Sequence, residues 1–140
     1  MSVQPKYERF DAGVVLRDAL RQYASGDVRL VRDADYVPDD LVTVVQVPRF
    51  APSGVLPSNR WAFDVQCALV TTGPDVDSVL GELEGLCDGL LSHNVQDGVV
   101  IHTVRVDSEP MLATPHSPSG AVSASASFSL ILRRKEQQYG

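Results

Sequence analysis

Cations are scarce in this 140-residue chain: 12 lysines and arginines stand against 18 aspartates and glutamates, for a formal net charge of -6. Wrapping of nucleic acid is thereby disfavoured, because that affinity rests on Lys and Arg neutralising phosphates. A surface past which nucleic acid slides remains compatible with the charge. No apolar run approaches the roughly 20 residues that span a bilayer, so no membrane partner is expected. Met1 to Phe10 is polar and lacks the apolar segment of a signal peptide, which points to assembly or function inside the cell. Cysteine occurs only twice, at Cys67 and Cys87. Both fall at apolar-face positions, so two buried reduced thiols are expected, with a disulfide between them as the minor alternative.

Signatures of chemistry are missing as well. Gly81, Gly85 and Gly89 lie inside a helical pattern, not between a strand and a helix, so they make no phosphate-binding loop. No G-x-S-x-G elbow presents a serine nucleophile. His93, His102 and His116 are scattered without H-x-x-x-H spacing. The two cysteines are twenty residues apart on core faces, which argues against zinc. No catalytic residue, cofactor or metal is expected.

What is present is the composition of a globular domain, 44% hydrophobic and 21% charged, in a chain long enough to bury one core. The organising stretch runs from Trp61 to Leu91. Trp61, Phe63, Val65, Cys67 and Leu69 alternate with Ala62, Asp64, Gln66 and Ala68, the period of a β-strand. Gly73-Pro74 ends it, and Pro74 suits the first position of a helix. Asp75 and Asp77 then meet the positive end of the helix dipole. Val76, Val79, Leu80, Leu83, Leu86, Cys87, Leu90 and Leu91 follow at helical spacing. Strand and helix can each cover the other's apolar face.

Ahead of that unit, residues 1–9 read as a polar arm. Asp11 is a candidate N-cap for a first helix running to Ala24, ended by Ser25-Gly26 with glycine at the left-handed position after the helix. Val28 to Val31 reads as a short strand and 33–40 as a polar turn. Leu41 to Val47 reads as a strand apolar on both faces, stopped by Pro48. A long connection, 48–60, follows; its Arg49, Phe50, Val55, Leu56 and Arg60 offer contacts to a partner. Beyond the second helix, 92–98 turns through Asp97-Gly98. Val99 to Val106 reads as a strand, 107–120 as another long connection and Ala121 to Arg134 as a final strand. In that last strand Val122, Ala124, Ala126, Phe128, Leu130 and Leu132 point one way and Ser123, Ser125, Ser127 and Ser129 the other. A polar tail, 135–140, closes a single domain spanning 1–140.

Consecutive strands joined by short polar turns favour antiparallel pairing. The expected fold is α+β: a mostly antiparallel sheet with two helices packed on one face. Gly81, Gly85 and Gly89 lie opposite the Val76/Leu83/Leu90 stripe. Each costs about 1 kcal/mol against alanine in a helix interior, so a close-packed neighbouring subunit is one explanation for them and drift the other.

The layout resembles the tail terminator, or tail completion, proteins of long-tailed bacteriophages, especially those infecting actinobacteria. The resemblance lies in the order and spacing of several pieces. They are the Asp11–Ala24 helix, Val42-Thr43-Val44-Val45-Gln46-Val47-Pro48, Trp61-Ala62-Phe63-Asp64-Val65-Gln66-Cys67, and Thr71-Thr72-Gly73-Pro74 leading into the leucine-rich helix. Ile101, Val104 and Val106 then lead into Glu109-Pro110, and the last strand ends on Leu130-Ile131-Leu132-Arg133-Arg134. The resemblance implies a structural virion protein of the tail neck, assembled in the host cytoplasm. It implies a homo-oligomeric ring of six that caps the tail tube, stops tube polymerisation, meets the head–tail connector and lets DNA pass without sequence-specific binding. Position and chemistry make Gly81, Gly85, Gly89, Arg133 and Arg134 candidates for the subunit interface. Another neck component, a connector or stopper, is the alternative, with a small α+β enzyme behind it.

Overall fold

The computed structural model describes residues 10–31, 40–52, 62–113 and 121–134. Asp11 accepts the Val14 N–H at 3.2 Å and starts helix α1, Ala12–Arg21. Its stripe Ala12, Val15, Leu16, Ala19 and Leu20 is buried. The helix stops three residues short of Ala24, where the Gln22 and Tyr23 N–H groups fold back on Ala19 and Leu20. Gly26 is therefore not a helix cap, and its φ is not positive. Its role is close approach: a Cβ there would sit 2.2 Å from the Leu41 carbonyl oxygen.

Strands β1 (Asp27–Arg29), β2 (Val42–Pro52) and β3 (Ala62–Gly73) follow, then helix α2 (Val76–Ser92). Strands β4 (Val95–Gln96), β5 (Val99–Leu112) and β6 (Val122–Arg134) complete the order. Asp75, not the first helical turn, takes the cap of α2: it accepts the Ser78 N–H at 2.8 Å, which leaves Pro74 just outside. Asp97 and Gly98 both have positive φ and close a tight β4–β5 hairpin.

Among the described residues the sheet has six strands in the order β1-β2-β3-β6-β5-β4. The α+β class holds, but the expected mostly antiparallel sheet is corrected to a mixed one, because β1 pairs with β2 in parallel. The connection over residues 30–41 is long enough for the chain to return and start β2 beside the start of β1, whereas a hairpin-length turn would have reversed it. The Asp27 N–H donates to the Leu41 carbonyl at 3.0 Å at that junction.

Two expected connections are partly strand. β2 runs through Pro48 to Pro52 by shifting register between Gln46 and Arg49, and β5 runs through Pro110 to Leu112 with three register shifts. A bulge accommodates a proline that a regular ladder would not.

Both helices cover one face of this sheet. Thr43, Val45, Phe63, Val65, Cys67 and Leu69 alternate inward from β2 and β3, and Ala124, Ala126, Phe128, Leu130 and Leu132 from β6. They form one core with Leu16, Leu20, Val79, Leu83, Leu86 and Leu90 of the helices. Each fully buried leucine or phenylalanine contributes about 1.5–3 kcal/mol.

Candidate functional site

The face of the sheet away from the helices carries most of the polar chemistry. Register places Arg49, Gln66, Ser129 and Arg105 in one row across β2, β3, β6 and β5. They share a depression of about 340 Å³ with Asp64 and Ile131. Arg105 donates to Asp107 at 3.0 Å and to the Ser129 hydroxyl at 3.3 Å, and Ser129 donates to Asp107. The Ser129 hydrogen bond, then the Arg105 guanidinium, hold the Asp107 carboxyl below its ordinary range. Arg49 has no ion-pair partner among the described residues. Around this row the face is short-chained: Ser123, Ser125 and Ser127 on β6, Ala68, Val70 and Thr72 on β3.

The helix side holds two polar arrangements that the sequence did not disclose. Glu82, on α2, is buried. Its carboxylate accepts the Ser25 N–H at 3.0 and 3.1 Å and the Gly26 N–H at 2.8 Å. It thus serves as an anchor between α2 and the turn after α1. A Glu at an otherwise apolar-stripe edge was the only signal. The second arrangement joins α1 to β4. The Tyr23 hydroxyl lies 2.8 Å from His93 Nδ1, His93 Nε2 lies 3.1 Å from Gln96 Oε1, and Gln22 donates to the same oxygen at 2.7 Å. An Nε2–H tautomer satisfies all three contacts.

The candidate interface residues are not brought together. Gly81 and Gly85 open to solvent on the outer side of α2, with nothing within 4 Å of a Cβ there. Gly89 is used inside the chain: its missing Cβ would meet the Tyr23 ring at 2.3 to 2.7 Å. Arg133 lies half-buried on the opposite, open face of the sheet, in register with Ala62 and Val100, and Arg134 ends β6 opposite Val99. Of the candidate partner loop, Arg49 and Phe50 belong to β2 and point to opposite faces. Phe50 stacks on Phe63 at 4.6 Å and meets Phe10 edge-on at 5.4 Å, closing one end of the core. Val55, Leu56 and Arg60 lie outside the described residues.

Both thiols are free and buried. Burial, with a smaller contribution from Cys87, pushes Cys67 up to about 12. Burial, then the nearby Asp88 and Glu84 charges, push Cys87 up to about 11. Neither is a nucleophile at neutral pH. Among the described residues no three His, Cys, Asp or Glu side chains are grouped to hold a metal, and no helix is long and apolar enough to cross a membrane. No protein-family model and no curated protein matches this chain.

Proposed function

We propose that this chain is a structural subunit of a bacteriophage tail neck, a tail terminator. Six copies form a ring on the head-proximal end of the tail tube, end its polymerisation and present a surface to the head connector, and DNA passes through the bore. The observation that carries the reading is the one-sided architecture: helices cover one face of the sheet and leave the other as a row of serines. We place that serine face toward the bore. Its described charges nearly balance, Arg29, Arg49, Arg105 and Arg133 against Asp27, Asp64 and Asp107, and Asp107 is engaged by Arg105 and Ser129. The acids concentrate instead on the helix layer, where Asp75, Asp77, Glu84 and Asp88 are exposed. A short-chained, nearly neutral wall neither grips a polyanion nor repels it strongly. The bore then needs no excess of acid.

The test is tube growth. Purified protein added to polymerising tail tube protein should cap one end and shorten the tubes, with a ring visible at that end by electron microscopy. Unchanged tube lengths and no co-sedimentation would refute the reading. The depression beside Arg49 favours a second reading, a small-ligand protein; a thermal-shift screen of anionic metabolites with a reproducible hit, together with indifference to tube protein, would favour it.

A further inference from the structure

We infer that the flank of α2 facing β5 is a docking groove for a basic amphipathic helix of a partner protein. Glu82 and Gly89 turn one flank of α2 toward α1. At about 100° per residue the other flank carries Val76, Leu80, Cys87 and Leu91 within about 60° of one another. α2 packs over β3, β6 and β5, and this flank overlooks β5. On β5, Val104, Val106 and Leu112 pair with Leu130, Phe128 and Ala124, all buried, so they lie on the helix-covered face.

That strip is incompletely covered. Val76 is 39% exposed and Leu91 49%, and on β5 Val106 is 37% and Leu112 38%. β3 ends at Gly73 beside Val122, close to the Leu112–Ala124 pair, so Val76 and Leu112 share one end of the strip. Leu91 lies about 22 Å away along the helix, at 1.5 Å per residue. Apolar side chains aligned along one groove, unlike apolar exposure scattered singly, mark an interaction surface.

Charge says what covers it. Glu84, Asp77 and Asp88 follow Leu91 around α2 within about 60° and are all exposed. α2 has no Lys, Arg or His. On the β5 side, the register between Ser108 and Met111 sets Glu109 opposite Ala126, on the helix-covered face, and Glu109 is exposed. None of these four acids has an ion-pair partner among the described residues. Carboxylates thus border the apolar strip on both sides. A helix with an apolar face flanked by Lys or Arg complements both features, and its i, i+4, i+7 lines run parallel to those of α2. A strand is a poorer occupant, because Pro110 has no N–H to offer it. The two helices of this chain do not fit the description either. α1 buries its apolar stripe and engages Arg17 and Arg21 with Asp18, and α2 carries no base. The occupant is therefore a different protein.

The groove does not depend on the terminator reading and stands whether or not tube ends are capped. Its test is fluorescence anisotropy on the full chain with a labelled synthetic peptide of about 18 residues, an amphipathic Leu/Lys helix. The controls are the same composition scrambled and the same pattern with Glu for Lys. The protein variants are Leu91→Ser, Val106→Ser and Glu84→Lys with Asp88→Lys, each checked for folding by circular dichroism and melting. The wild type should bind the Leu/Lys helix saturably, one to one, and bind neither control. Leu91→Ser and Val106→Ser should each weaken binding about tenfold, through lost apolar contact. The double lysine variant should lose the Leu/Lys helix and gain the Leu/Glu helix. If Val106→Ser fails to fold, Leu91→Ser, at a half-exposed position, decides alone. No saturable binding, equal binding of the scrambled peptide, or indifference to Leu91→Ser overturns the inference, and so does a double lysine variant with unchanged preference. Self-association of the peptide-free chain that Leu91→Ser abolishes also overturns it, in favour of a second copy on the strip.

Discussion

Three chemically identical substitutions on one helix should have opposite effects. Gly81, Gly85 and Gly89 recur every four residues along α2, yet only Gly89 has a neighbour where its Cβ would be. Alanine at Gly81 or Gly85 enters open space, so the gain is the helix-propensity difference, up to about 1 kcal/mol each. With no shared neighbours the two should nearly add, to about 1–2 kcal/mol. That corresponds to a rise in melting temperature of about 3–4 °C per kcal/mol for a domain of this size. At Gly89 the same propensity gain meets the Tyr23 ring. The ring must shift, at an overpacking cost of about 1–3 kcal/mol. Its hydroxyl then loses His93, worth about 1 kcal/mol. The net expectation is destabilisation by about 1–3 kcal/mol. Urea unfolding of the single variants and the Gly81/Gly85 double variant measures all of this. Stabilisation by Gly89→Ala equal to the other two, or destabilisation by Gly81→Ala, would refute the packing argument. The same variants bear on assembly. If a neighbouring subunit packs on the outer side of α2, Gly85→Leu should impair association while leaving the monomer folded; unaffected association removes these glycines from the interface.

Glu82→Gln should cost about 2–3 kcal/mol, because an amide offers the Ser25 and Gly26 N–H groups only one neutral acceptor where a buried carboxylate offered two charged oxygens; a loss below about 0.5 kcal/mol in denaturant unfolding would contradict the anchor role. Asp107 and Asp27 are held below their ordinary carboxyl range, Asp107 by Ser129 and Arg105 and Asp27 by Arg29. Because the folded values are depressed, their stabilisation is present above about pH 4 and is lost as pH falls through the folded values. Carboxyl NMR titration should show Asp107 moving up in Ser129→Ala, and an unchanged titration would dismiss the hydrogen bond as the cause. Cys67 and Cys87 should resist a thiol reagent at pH 8 in the folded chain and react once urea unfolds it, as thiols raised to about 12 and about 11 by burial require; rapid labelling of the native protein would show that the sheet–helix seam opens.

The local alternation in 61–73 and 121–134 and the helical spacing in 76–92 are properties of each segment's own side chains, so the strands, the second helix and their core faces were legible directly. The Asp11 cap and the Asp97-Gly98 turn were equally local, each needing only a few neighbouring residues. Proline misled where it was read as punctuation. Pro48 does not end its strand, and Pro110 lies within β5 and not in a connection beyond Val106, because a register shift in the partner pairing absorbs each, and a shift exists only once the partner strand is in place. The parallel β1–β2 pairing was likewise invisible, since direction depends on where the chain over 30–41 carries it and not on residue type.

The candidate site divides in the same way. That Ser123, Ser125, Ser127 and Ser129 share one face follows from the two-residue period of a strand. That Arg49, Gln66 and Arg105 join Ser129 in one row follows from strand order and register across four strands distant in sequence. Glycine shows the division most sharply. Spacing put Gly81, Gly85 and Gly89 on one side of a helix, as the 3.6-residue turn requires. Which of them faces solvent and which lies under Tyr23 was decided by the docking of α1 against α2, a contact between residues some 66 positions apart. Periodicity along the chain is set by backbone geometry and needs nothing else, whereas contacts across the chain arise from packing, which ranks all segments against one another at once.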